Sequence, residues 1–196
     1  MNLSSISDNF AEVITKELDY NIEKKEIIAY AIQTAILFIL GTLLIVLLGY
    51  TFNALMPAIF AATFGSLLRR VSGGAHFNSP LKCLSFGSIA YSLIGLFSQK
   101  LIDYALNNKF AIAFILIISL LIVSLLAPVE SENKPIHSKS LKYKLKALAI
   151  FFVIVSSFII FYTTSTLLSV SAALGVFYQS VTLLPIFNRK GGVNGL

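Results

Sequence analysis

Six long apolar blocks, separated by short polar segments, constrain this chain more than any other feature. They run over 28–48, 51–68, 81–98, 110–127, 147–166 and 168–187. A hydrocarbon core about 30 Å thick needs about 20 helical residues, with a tolerance of about 17 to 25. Every block meets that length. Inside lipid each backbone N–H and C=O must find a partner within its own segment, so blocks of this kind fold as helices. The expected fold is therefore all-α, a polytopic transmembrane helical bundle of about six spans forming a single membrane domain over residues 1–196. Composition agrees, because only 12% of the 196 residues are charged and 57% are hydrophobic. A soluble domain carries about a quarter charged residues to face water. The third block holds Ser85, Gly87, Ser88, Ser92 and Gly95, small residues that suit close helix contact or a helix-mediated homodimer. The joins near 48–51 and 166–168 admit either a tight hairpin or one broken long segment.

Ahead of the first block, residues 7–26 place Phe10, Val13, Ile14, Leu18 and Ile22 at near-helical spacing among Asp8, Glu12, Lys16, Asp19 and Glu23. Such a pattern predicts an amphipathic helix, lying at the membrane interface or packed on polar loops. The start of the chain is too polar for a cleavable signal peptide, so the first span is expected to act as the insertion signal.

The net charge of +6 does not imply nucleic acid, because the bases flank the apolar blocks. With the N-terminus inside, one side of the membrane collects Lys16, Lys24, Lys25, Arg69, Arg70, Lys82, Lys134, Lys139, Lys142, Lys144, Lys146, Arg189 and Lys190. Only Lys100 and Lys109 fall on the other. The positive-inside rule then predicts that both termini and the two most polar loops are cytoplasmic, with the basic segments against anionic lipid.

The first of those loops reads from Arg69 and Arg70 through Gly73, Gly74, His76, Asn78, Ser79 and Pro80 to Cys83. Paired glycines permit a sharp turn or a close backbone approach. Ser79 followed by Pro80 marks a helix start, with Ser at the N-cap and Pro at the first helical position. Cys83 then falls in the first turn, where partial positive charge from the helix and the nearby bases favour a thiolate. A turn at the glycines would fold His76 back over the helix start. A helix running through His76 would instead hold the two side chains about 10 Å apart, too far for proton transfer. The single cysteine excludes an intramolecular disulfide, and zinc would need three or four ligands converging from two loops. No metal or cofactor is expected.

The second loop carries Ala127, Pro128, Glu130, Glu132, Asn133, Lys134, Pro135 and His137, followed by lysines up to Lys146. Glu130 and Glu132 have two open roles, pairing with Arg69 or Arg70, or meeting a basic segment of a substrate. The lysines set topology, touch anionic lipid, or bind an acidic peptide tail.

Taken together, Arg69-Arg70, Gly73-Gly74-Ala75-His76 and Cys83 in the first loop, with Ala127-Pro128, Glu130 and Asn133-Lys134-Pro135 in the second, resemble the AgrB family of quorum-sensing processing proteins. The resemblance covers almost the whole chain. It implies a bacterial cell-membrane cysteine endopeptidase that removes the C-terminal tail of an AgrD-like precursor peptide and promotes cyclisation to a thiolactone or lactone. By the same resemblance Cys83 is the nucleophile and His76 its base, with Arg69, Arg70, Gly73, Gly74 and Lys134 around them. Asn78 and Glu130 are candidates for a third, orienting residue. The competing expectation is a small membrane transporter or peptide exporter without peptidase chemistry. Transporters usually carry ionisable groups at mid-depth, whereas these spans offer only Gln33, Gln99 and Gln179.

Overall fold

A computed structural model describes residues 3–18, 21–75, 79–102, 109–130 and 138–188. Seven helices account for most of them: α1 (Leu3–Glu17), α2 (Ile22–Thr51), α3 (Leu55–Ser72), α4 (Pro80–Lys100), α5 (Lys109–Leu126), α6 (Lys139–Tyr162) and α7 (Thr166–Val181). Each of the six apolar blocks is thus a helix, and the chain is an all-helical membrane protein. Four of the helices, α2, α4, α5 and α6, are long and apolar enough to cross a membrane. The chain divides into two compact units, residues 1–44 and 45–196.

In the first unit, the helix expected over 7–26 is divided. It stops at Glu17 and a new helix starts at Ile22, where the Asn21 side chain accepts from the Lys24 amide at 3.0 Å. Asn21 is a helix cap, so one helix ends and another begins there although the apolar period runs on through Ile22. Along α1 the small residues Ser7, Ala11 and Thr15 are buried, one turn apart, while Phe10, Val13 and Leu18 are exposed. An exposed apolar stripe is what a helix lying on a bilayer surface requires. Glu12 ties α1 to α2 through Lys25 at 3.2 Å and is also paired with Lys16 at 2.8 Å.

The second unit is built inside out compared with a soluble bundle. Helices α3 and α7 form the central pair and share the most contact; α4, α5 and α6 pack around them. The central pair buries small residues: Ala58, Ala61, Ala62 and Gly65 from α3, and Ser171, Ala172, Ala173 and Gly175 from α7. A Cβ at Gly175 would lie 2.8 Å from the Ala61 Cα, and one at Gly95 would lie 2.7 Å from the Ala58 amide nitrogen. These helices touch main chain to main chain. The outer helices present large apolar side chains outward, among them Phe110, Leu125, Phe151 and Phe158. Lipid offers no hydrophobic reason to bury such groups, so packing selects small residues for helix contacts instead. Ser88, Ser92 and Gly95 of α4 are likewise buried within the bundle.

Both uncertain joins are tight turns. Asn53 adopts a positive φ of 52° between α2 and α3, and α7 begins four residues after α6 ends. The lysine run from 139 to 146, read above as loop, forms the first turns of α6. Ser138 caps them by accepting from the Leu141 amide at 3.4 Å.

Candidate functional site

The first loop leaves α3 through Gly73, whose amide still donates to the Arg69 carbonyl at 3.0 Å. Gly73 and Gly74 have φ angles of 71° and 137°, a region that favours glycine because a Cβ there meets its own backbone. The surroundings add a second reason. A Cβ on Gly73 would collide with the Val129 carbonyl oxygen, and one on Gly74 would lie 2.7 Å from Thr182 Oγ1.

That collision marks where the two polar loops join. Gly73 and Val129 form an isolated parallel bridge, and the Val129 amide donates to the Ser72 carbonyl at 2.9 Å. The second loop approaches through a cis Ala127–Pro128 peptide. An ion pair from Glu130 to Arg69 or Arg70 is therefore not what holds the loops together. The Glu130 carboxylate accepts from Lys142 of α6 at 2.9 Å instead, because α6 begins early enough to bring that lysine beside the loop. Arg70 is exposed.

Cys83 sits in the first turn of α4, which starts at Pro80 as the Ser79-Pro80 signal predicts. Ser79 takes the extended N-cap conformation but makes no side-chain capping bond. The Cys83 amide donates to the Ser79 carbonyl at 3.1 Å, and the thiol is half-buried. Arg69 connects the thiol to the loop: its Nη2 donates to the Ala75 carbonyl and also to Cys83 Sγ at 3.5 Å. A single guanidinium nitrogen thus joins the residue that immediately precedes His76 to the candidate nucleophile.

Four residues that sequence reasoning gave no role line the same region. Gln179 donates to the Gly73 carbonyl at 2.7 Å, and the Thr182 carbonyl accepts from the Ala75 amide at 3.2 Å. Tyr91 and Tyr178 meet edge to face with centroids 5.4 Å apart, within electrostatic reach of both Arg69 and Cys83. Tyr91 lies over Gly65, where any side chain would strike its ring. The one available signal was Gln179 itself, a carboxamide inside an apolar block.

His76, Asn78 and Lys134 lie outside the described residues. Among the described residues, no three His, Cys, Asp or Glu side chains come together as a metal site would need.

The sequence matches the family model described as Accessory gene regulator B over residues 7–183. It is 34% identical over 200 residues to Putative AgrB-like protein 2 of Clostridium perfringens strain 13, covering 95% of this chain and 93% of that one. A Putative AgrB-like protein from strain SM101 of the same species is 30% identical, again over 95% and 93% of the two chains. Accessory gene regulator protein B of Staphylococcus aureus strain Newman is 29% identical over 147 residues, 73% of this chain and 72% of that one. No solved structure matches the chain.

Proposed function

Starting from the membership of this chain in the accessory gene regulator B (AgrB) family, we propose that it is a membrane cysteine endopeptidase of quorum sensing. Its substrate is an AgrD-like precursor peptide, from which it removes the C-terminal tail before the remainder is cyclised. The observation that carries this reading is the double contact of Arg69, which holds Ala75 and Cys83 Sγ on one nitrogen. His76 follows Ala75 directly, so anchoring Ala75 at the thiol limits where His76 can go.

The chemistry needs four groups. His76 takes the proton from Cys83 Sγ, and the thiolate attacks the scissile carbonyl carbon. Arg69 supplies positive charge at the sulfur, and its Nη2 reaches the Ala75 carbonyl and the sulfur together. The carbonyl oxygen gathers negative charge as the C–S bond forms. Amides at a helix start have no intrahelical acceptor and can receive that charge. The Cys83 amide is already bonded to the Ser79 carbonyl, so Leu81 and Lys82 are the donors in this reading. His76 then gives its proton to the leaving amine, the C–N bond breaks, and a thioester remains on Cys83. A thiol of the bound peptide attacks the thioester, loses its proton to His76, and releases Cys83. One thioester replaces another, so the ring forms without ATP provided water is kept out.

Orientation follows from the charge distribution. Thirteen of the 15 basic residues fall on one side, which by the positive-inside rule is the cytoplasm, together with both termini and the Cys83 loop. The exposed Lys139 and Lys144 at the start of α6 then face anionic lipid or an acidic tail.

The test uses the single thiol. Purified protein is alkylated with iodoacetamide across pH and followed by intact mass, in wild type and His76→Ala. The expected result is fast alkylation of Cys83 in wild type, slowed in the variant. A rate unchanged by His76→Ala, paired with undiminished precursor cleavage in Cys83→Ser, sinks the reading.

A further inference from the structure

Gln179, in the last turn of α7, is fully buried. Its Nε2 donates to the Gly73 carbonyl at 2.7 Å and lies 3.4 Å from Ser72 Oγ. Its Oε1 is enclosed and has no hydrogen-bond partner among the described residues. Three residues further on, the Thr182 carbonyl accepts from the Ala75 amide at 3.2 Å. Thr182 Oγ1 in turn donates to the Gln179 carbonyl at 2.7 Å. The absent side chain of Gly74 makes room for this approach, since a Cβ there would lie 2.9 Å from Gln179 Nε2. The segment from Gly73 to Ala75 is therefore fastened to α7 at both ends, once by a side chain and once by main chain.

A carboxamide is an expensive way to fill this space. An enclosed acceptor without a partner opposes folding, and a leucine of similar volume would not carry that penalty. What leucine lacks is the N–H directed at the Gly73 carbonyl. We infer that Gln179 is a positioning residue: through Gly73 it sets the Gly73–Ala75 segment so that the Ala75 carbonyl and Arg69 meet at Cys83. For its consequence in catalysis this inference rests on the peptidase reading above. The path is short and continuous, from Gln179 to Gly73, along two residues to Ala75, and through Arg69 Nη2 to Cys83 Sγ.

Two substitutions separate a donor from mere bulk. Gln179→Leu keeps the volume and removes the N–H. Gln179→Glu can donate to the Gly73 carbonyl only while its carboxyl is protonated, and burial extends that range upward. The assay is the alkylation rate of Cys83 by iodoacetamide in the full-length protein, each variant divided by wild type at the same pH. Misplacing a preorganised group by about 1 Å costs on the order of 10²-fold in rate, so Gln179→Leu is expected to slow the reaction between several-fold and that limit. The Gln179→Glu ratio is expected to climb as pH falls from about 9 to about 6, because protonation restores the donor. A wild-type rate in Gln179→Leu overturns the inference. So does a Gln179→Glu ratio that is flat with pH, which also covers the case in which the leucine variant does not fold. His76→Ala, measured alongside, keeps the two ideas apart. If that variant alkylates like wild type while Gln179→Leu is slow, the His–Cys pair is refuted and the clamp on Arg69 and Cys83 stands.

Discussion

Replacing Gly73 with alanine tests the junction between the two polar loops, and its cost can be worked out from the geometry. Gly73 has φ 71° and ψ −147°, close to a region that is essentially glycine-only, where an L side chain costs about 1–3 kcal/mol. The new methyl would also collide with the Val129 carbonyl oxygen. The cheapest relief is for Val129 to move away, which breaks its amide bond to the Ser72 carbonyl at 2.9 Å. A hydrogen bond of that kind contributes about 0.5–1.5 kcal/mol net. The sum is about 1.5–4.5 kcal/mol, which for a chain of this size lowers Tm by about 3–18 °C. Gly87→Ala is the matched control, because nothing lies within 4 Å of a Cβ at that position; a helical glycine replaced there is neutral or gains up to about 1 kcal/mol. Both variants would be purified in detergent and melted under identical conditions, with precursor cleavage assayed in membranes. Gly73→Ala should lose most of its cleavage as well as stability, since Ala75 and Arg69 follow the displaced turn. Equal Tm values for the two variants, with full cleavage in Gly73→Ala, would refute the claim that this junction holds the site.

Three further outcomes follow from the same geometry. Arg69→Lys replaces a planar fork with a single ammonium; cleavage should fall by on the order of 10- to 10²-fold with little change in Tm, and an unchanged cleavage rate would remove Arg69 from the mechanism. Gly175→Leu drives a side chain into the Ala61 main chain and should cost about 1–3 kcal/mol or more, read as a lower Tm in detergent; wild-type stability would mean that α3 and α7 do not touch as described. The Glu12 carboxyl is held below the usual carboxylate range, chiefly by its hydrogen bond from Lys16 and next by that from Lys25. A depressed folded value means that the α1–α2 tie is present at neutral pH and lost only as pH falls through that value. Amide exchange in α1 should accelerate in acid in wild type, and this acid dependence should vanish in Glu12→Gln; persistence in the variant would assign it to another group.

Much of the fold was readable because lipid imposes strong length and polarity rules, and each apolar block from 28 to 187 corresponds to a helix. Pro80 gave the start of α4 to the residue, since a proline at the first helical position is a local signal. The errors also have local causes. Ile22 continues the apolar period of α1, which hides the Asn21 cap, although that cap was present in the sequence to be read. The lysines from 139 to 146 look like loop by charge, yet Ser138 and a run of good helix formers announce α6. In the site, the Gly73-Gly74 turn and the place of Cys83 were legible. The bridge from Gly73 to Val129 was not, because main-chain pairing leaves no side-chain signature. Nor could spacing reveal that Gln179 meets the carbonyl of a glycine 106 residues earlier. Such a contact depends on the α3–α7 packing, which only the assembled bundle supplies.

If the protein is the peptidase proposed above, the main-chain contacts of Gly175 with Ala61 and of Gly95 with Ala58 bear on how its substrate reaches the thiol. A conduit that opens and closes between helices relies on side chains that swing aside. Peptide backbone cannot retract in that way, and at these two contacts main chain meets main chain across α3, α4 and α7. Among the described residues, α3 is locked to α4 and to α7 at these two points like an axle in its bearings. On the peptidase reading proposed above, a precursor would then meet Cys83 at the start of α4, where the thiol is half-buried, and a peptide held at a bilayer surface would reach it by sliding in two dimensions.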